Sequence, residues 1–420
     1  MQKLLGLKSL RLNRSLCFVL IASMGLFFET ASADDAKVLP KNRWRIQLMS
    51  SYSFTDSKFD SSGKSIAMGD AYKVSLTPSF VSVLKPQVKA ISAAMNAEKP
   101  GLADSMAISE LTADIKSSIL ANAVAAEYGL TDRLSVGIIL PIVHAIVTAK
   151  GHSSSSPQFE GFVKSLTPEQ GRLKAALNQV KSELSLPAIN QALEQDLGYD
   201  GGIQSWSGTG IGDLEIGGKF KYFESHPFRM TVKAGVRAPT GRRDQPDQLF
   251  DLAFGDGQWD LAAFHYVDYS PHSKVYFTLE SGYTAQLPHT ATYRVPIITG
   301  VEITPIKAKL DQDPGDIVEA ALEANWSFTR LLTLSPKYRF REKFSDHYSG
   351  GNGIPTKFLS ADSDERLHEG ILTLGFSNLP RVRSGESSLP LDAQVFIRHR
   401  FGGKNVNEIE TGGIQLKAYF

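Results

Sequence analysis

Basic side chains recur two or four positions apart, always at the same parity, in several stretches of this 420-residue chain. Lys219 and Lys221 form one set, and Arg229, Lys233 and Arg237 another. Lys337, Arg339 and Arg341 make a third, and Arg398 with Arg400 a fourth. Asp213 and Glu215 share the parity of the first set. A period of two is that of an extended chain, so each set lies on one face of a strand. With Arg43 and Arg45 the group holds twelve basic residues, against six acidic ones: Asp213, Glu215, Glu280, Glu319, Glu323 and Asp392. A lumen lined this way has a field that favours anions, carboxylated aromatic acids for example. The same residues can instead fill a narrow interior with ion pairs. Both readings stand at this point.

Other chemistry finds less support. His144, His265 and His399 fall in strand-like segments. A hydrolase would need a nucleophilic serine and an orienting acid beside one of them. The chain has no Gly-x-Ser-x-Gly elbow and no His-Glu-x-x-His metal motif. Asp311-Gln312-Asp313-Pro314-Gly315-Asp316 and Asp362-Ser363-Asp364-Glu365 offer oxygen ligands, but not at the spacing of a calcium loop. No nucleotide-binding Gly-x-x-x-x-Gly-Lys-Ser/Thr occurs, and a net charge of +1 argues against a nucleic-acid partner. The expectation is therefore no catalytic residue, no cofactor and no resident metal.

The elements that carry these residues are long and amphipathic. Leu214, Ile216, Phe220 and Tyr222 alternate with the charged positions between Asp213 and Phe223, and Phe228 to Ala238 repeats the pattern. The turn Glu224-Ser225-His226-Pro227 between them makes a hairpin. The same alternation predicts strands near 43–54, 116–130, 134–148, 211–223, 228–239, 258–269, 274–287, 316–328, 331–344, 367–378, 391–402 and 409–420. Short connections (131–133, 224–227, 270–273 and 329–330) alternate with long ones (55–115, 149–210, 240–257, 288–315 and 345–366). Two connections break this rule: 379–390 is long, and 403–408 is short.

Unequal loops on long strands with one greasy and one charged face predict an all-β transmembrane antiparallel barrel of about twelve strands. Tyr128, Phe223, Phe228, Tyr269 and Phe328 would form one interfacial girdle, and Phe54, Trp259, Phe340 and Phe344 the other. Two insertions, 55–115 and 149–210, read as partly helical outer loops. Thr167-Pro168-Glu169-Gln170 has the form of a capped helix start, followed by Leu173, Leu177, Val180 and Leu184 at helical spacing. Pro187 interrupts, and Ile189, Leu193 and Leu197 continue. Residues 87–99 form another helical stretch. Such helices either cap the pore or pack as a small surface subdomain.

The N-terminus carries Lys3, Lys8, Arg11 and Arg14, then an apolar run from Leu16 to Phe28, then Ala31-Ser32-Ala33. That is the form of a secretory leader, so 1–33 is expected to be removed and 34–420 to form the barrel. The only cysteine, Cys17, lies in the leader. No plug-like segment is legible ahead of Arg43. The last strand places Ile414, Leu416, Ala418 and Phe420 on one face. A terminal aromatic of this kind resembles the signal read by the outer-membrane barrel-assembly machinery.

Four blocks resemble a known family. They are Glu127-Tyr-Gly-Leu-Thr-Asp-Arg-Leu-Ser-Val-Gly-Ile-Ile-Leu-Pro141; Gly210-Ile-Gly-Asp-Leu214 with Gly217-Gly-Lys219; Lys233-Ala-Gly-Val-Arg-Ala-Pro-Thr-Gly241; and Gly255-Asp-Gly-Gln-Trp-Asp260. Together they are similar to the outer-membrane transporters of the meta-pathway of phenol degradation, from about residue 117 to 290. The resemblance implies a barrel that passes small, often aromatic, molecules. The expectation is a passive channel in the outer membrane of a Gram-negative bacterium, in contact with lipid, lipopolysaccharide and small solutes. A non-transporting surface barrel is the first alternative and an outer-membrane hydrolase the second.

Overall fold

The computed structural model describes residues 35–84, 88–296, 303–351 and 353–420. The expected leader, 1–33, lies outside the described residues. Among the described residues, twelve antiparallel strands close into a barrel. They are β1 (Trp44–Phe59), β2 (Ser109–Thr131), β3 (Leu134–Ser155), β4 (Trp206–Ile211 continued by Leu214–Ser225), β5 (Phe228–Ala238) and β6 (Asp260–His272). After these come β7 (Val275–Gln286), β8 (Ile317–Ser327), β9 (Leu332–Lys343), β10 (Glu365–Ser377), β11 (Leu391–Lys404) and β12 (Val406–Tyr419). Each strand pairs with its sequence neighbours, and β1 pairs with both β2 and β12, which closes the ring. The seam is fastened at one end where the backbones of Trp44 and Phe420 exchange two hydrogen bonds of 3.0 Å. All twelve predicted strands are present, several longer than expected.

Local chemistry explains the tight end. Thr131 Oγ1 accepts the backbone N–H groups of Arg133 and Leu134 (3.1 and 3.0 Å). Thr329 Oγ1 does the same for Leu331 and Leu332 (3.2 and 2.9 Å). These hydroxyls stand in for the missing ladder bonds and tighten each turn. The long connection 378–390 holds a short helix, Leu379–Arg383. Strand β4 is interrupted at Gly212-Asp213, opposite Pro141 of β3. Proline has no N–H to give the ladder, so regular pairing lapses there; Gly212 N–H instead donates to the Pro141 carbonyl (3.0 Å).

The outward face is apolar all around the ring. Leu48, Leu279, Leu322, Ile397, Ile414 and Leu416 each leave half or more of their surface uncovered. A belt of this extent exceeds what a water-facing surface carries, and hydrocarbon is the medium that fits it. Phe223, Phe228, Tyr269 and Phe328 stand exposed toward the tight-turn rim, and Phe54, Trp259 and Phe344 toward the long-loop rim.

The inward face is of two kinds, where a uniformly polar one was expected. On β7 to β12 it is charged and amide-rich. On the outer halves of β2 and β3 it is apolar: Ile115, Ile119, Ala121, Val143, Ala145 and Val147 are buried. These two strands run far past the barrel as a ribbon, and the same face of the ribbon stays covered. Helices Lys89–Glu98, Pro157–Ser165, Gly171–Glu183 and Leu186–Gln195 share one apolar core with it, through Met95, Phe159, Val163, Leu177, Val180 and Leu193. The predicted capping box forms, with Thr167 N–H donating to Gln170 Oε1 (3.0 Å), and Pro187 falls in the first turn of a new helix rather than inside an old one. The helices thus form a packed subdomain, and it lies on the lumen side of the ribbon. A second outer structure was not foreseen: a three-stranded sheet of His289–Arg294, Lys307–Asp313 and His347–Gly350. It takes up Asp311 to Asp313, and Asp311 accepts a hydrogen bond from Thr290.

Candidate functional site

The lumen side chains form rungs across the strands. Lys337 on β9 reaches Glu280 on β7 (2.8 Å). Arg341 faces Glu319 across β8 and β9 (3.4 Å). Arg339 pairs with Glu369 (2.9 Å), which also faces Arg400 of β11 (3.9 Å). Arg400 gives a further bond to the Asn407 carbonyl (2.8 Å), and Arg398 reaches Thr411 (3.4 Å). Arg341–Glu319, Arg339–Glu369, Arg400–Glu369 and Arg398–Thr411 join residues directly opposite in the ladder, so strand register sets them, whereas Lys337 reaches over β8 to Glu280. At the tight-turn rim Lys221 and Arg229 converge on Glu224. Lys219 and Lys233 stand over the rings of Tyr266 and Phe264, at 4.8 and 5.8 Å from the centroids.

Two cavities lie along this interior. The inner one, of about 190 Å³, is bounded by seven basic residues (Lys37, Arg45, Lys219, Lys233, Arg237, Lys337 and Arg339). Five acidic ones accompany them: Asp35, Glu127, Glu215, Glu280 and Glu319. The basic excess is thus smaller than the two-to-one count of the strand pattern, because acids from β2 and from the chain ahead of β1 enter the lumen. The outer cavity, of about 230 Å³, lies under the outer loops and is lined by four basic and six acidic residues. The two share no lining residue.

Arg237 lies at the boundary. Its guanidinium bonds Asp256 (2.6 Å) of the 239–259 connection and also Asp260 at the start of β6. This connection was expected to project outward. It instead folds against the apolar inner wall, burying Phe250, Leu252 and Phe254. Asp213, expected to line the pore, does not border either cavity: its carboxylate accepts the N–H groups of Gly241 (2.8 Å) and Asp256 (3.1 Å).

A second departure is the chain ahead of β1. Residues 35–42 turn into the barrel at the tight-turn rim. Ala36 is fully buried; its N–H donates to Asp268 of β6 (3.1 Å), and its carbonyl accepts from Thr231 of β5 (2.5 Å). Lys219 donates to the Asp35 carbonyl, and Lys37 lies over the Tyr276 ring (4.5 Å). Since β5 and β6 lie across the ring from β1, this segment is a crossbar in the lumen. The expected absence of a plug-like segment is corrected accordingly.

A twelve-stranded ring, a greasy outside and a wet, charged inside now stand together. No family profile and no curated protein matches the chain. Among solved structures, an outer membrane channel from Pseudomonas putida F1 superposes with a TM-score of 0.53 at 11% identity, over 93% of this chain and 99% of that one. The fold is that of an outer-membrane β-barrel. A FadL homologue of Pseudomonas aeruginosa (TM-score 0.34, 8% identity, 97% and 99% covered) and a toluene transporter of Ralstonia pickettii (0.34, 9%, 91% and 90%) are more distant.

His144 bonds Thr209 (2.7 Å), His265 bonds Tyr222 (2.7 Å) and His399 faces Glu410 (3.8 Å), all with outward parity. Outside the membrane-spanning strands, Asp247 holds Arg294 (2.6 Å) and Lys307 (2.7 Å). Burial opposes its ionisation, but hydrogen bonds and charge from Lys307 and Arg294 outweigh that and hold its carboxyl below the ordinary range.

Proposed function

We propose that the chain is a passive outer-membrane channel for small solutes, with a preference for flat aromatic molecules that carry negative charge. The observation that carries this reading is the inner cavity: aromatic faces of Phe264 and Tyr266 beneath the ammonium groups of Lys233 and Lys219, with two more basic than acidic residues lining that cavity. A ring can stack there while a carboxylate meets the cations. The likeness to phenol-pathway transporters in the four motif blocks supports the same class. Secretion by removal of 1–33, insertion through a machinery that reads the strand ending at Phe420, and contact with lipopolysaccharide at the outer rim belong to this proposal.

The test is flux. Proteoliposomes of the purified barrel should release preloaded benzoate-type acids faster than the corresponding alkylammonium cations of equal size. The crossbar at 35–42 and the dense ion pairing favour a second reading, a closed surface barrel. Equal, protein-independent leakage of all solutes would establish that reading and overturn the channel.

A further inference from the structure

Three sequence blocks between Gly212 and Asp256 meet at one point, and the channel reading does not by itself use them. Gly212 and Asp213 sit at the break in β4; Thr240 and Gly241 begin the connection after β5; Gly255 and Asp256 end it. The break frees Asp213 from the ladder and turns its carboxylate to the loop. One oxygen accepts Gly241 N–H and the other Asp256 N–H, so a single side chain grips both ends of the connection. Thr240 Oγ1 locks the near end, accepting Leu214 N–H (2.9 Å) and donating to the Gly212 carbonyl (3.0 Å). A Cβ on Gly255 would meet Asp213 Oδ1 at 2.2 Å, so the approach requires glycine.

The connection so gripped lies at the boundary between the two cavities. Phe250, Leu252 and Phe254 pack on the inner wall, and Asp256 closes on Arg237. The loop contributes Arg243, Asp251, Asp256 and Gln258 to the outer cavity and nothing to the inner one. We propose that Asp213 is a positioning residue for the channel: its carboxylate, with Thr240, holds residues 240–257 as an inward constriction that separates the cavities and limits which solutes pass. This rests on the channel reading, but the labelling arm of its test does not require any solute to move.

The test uses the full mature barrel, 34–420, which holds no native cysteine because Cys17 lies in the expected leader, with Ala253→Cys as a probe in the buried part of the loop. Asp213→Asn keeps the shape but offers one acceptor oxygen where two are used. The thiol should react with a membrane-impermeant maleimide about tenfold faster than in the parent, the factor expected when a charge-assisted hydrogen bond is lost from a local opening equilibrium. Single-channel conductance should rise in the same protein. Unchanged labelling in a barrel that keeps its heat-modifiable mobility overturns the proposal. Faster labelling with unchanged conductance overturns the constriction. Should Asp213→Asn fail to assemble, Thr240→Val, which removes two hydrogen bonds at near-constant volume, is read by the same two measures and decides.

Discussion

Leu322→Arg tests the outside of the barrel. Leu322 is the middle residue of β8 (Ile317–Ser327), 54% exposed, and faces Leu279 and Tyr338 across the neighbouring strands. Five residues separate it from either strand end, about 17 Å at ~3.4 Å per residue. With a tilt near 45° that is about 12 Å along the normal, which puts Leu322 close to the midplane of an apolar band ~25 Å tall. Arginine at that depth costs about 2–4 kcal/mol, roughly 30- to 1,000-fold in the folding equilibrium, whereas the same change on a water-facing surface stays within about ±0.5 kcal/mol. The assay is equilibrium unfolding in urea with the barrel folded into phosphatidylcholine vesicles, read by tryptophan fluorescence. Phe344→Arg, near the long-loop rim, serves as the shallow control and should cost at most about 1 kcal/mol. A loss below about 0.5 kcal/mol at both positions refutes the lipid-facing assignment of this face.

Three further outcomes follow. Glu369→Gln leaves the buried Arg339 and Arg400 without their shared acid, and should lower stability by about 3 kcal/mol in the same unfolding assay, because an uncompensated buried charge outweighs the lost pair. Removing 35–40 takes out the crossbar while leaving every strand intact, so conductance should increase and heat-modifiable mobility should persist; equal conductance would show that the segment does not obstruct the lumen. Asp247 has a carboxyl below its ordinary value of 3.8, so its contribution is complete above that value and disappears as pH falls through the lower, folded one. Amide exchange in 289–294 and 307–313, the strands tied to it by Arg294 and Lys307, should therefore accelerate on strong acidification and not between pH 5 and 8.

The strands were legible because a period of two survives wherever one face meets lipid and the other water. Lys219 against Phe220, or Arg339 against Tyr338, carries that contrast at each step, and the capped helix at Thr167 is equally local. What could not be read was where chain outside the strands would go. Nothing in Asp35 to Asn42 marks it as a lumen segment, because its partners Thr231, Asp268 and Tyr276 lie some 200 or more positions away. The inward fold of 239–259 did leave a trace: Phe250-Asp251-Leu252-Ala253-Phe254 is too apolar for an outer loop and matches the apolar inner wall of β2 and β3. Asp213 was assigned to the pore by parity alone. The break opposite Pro141 turns it to the loop backbone, and a proline inside a predicted central strand was the available sign of that irregularity.

A channel of this kind requires a water-filled path through a ring that faces hydrocarbon outside. Planar-bilayer recording of the purified, folded barrel measures that path directly. Discrete conductance steps, with a reversal potential in a potassium chloride gradient displaced toward chloride selectivity, are the predicted result. A folded barrel that inserts and gives no steps, or steps selective for potassium, contradicts it.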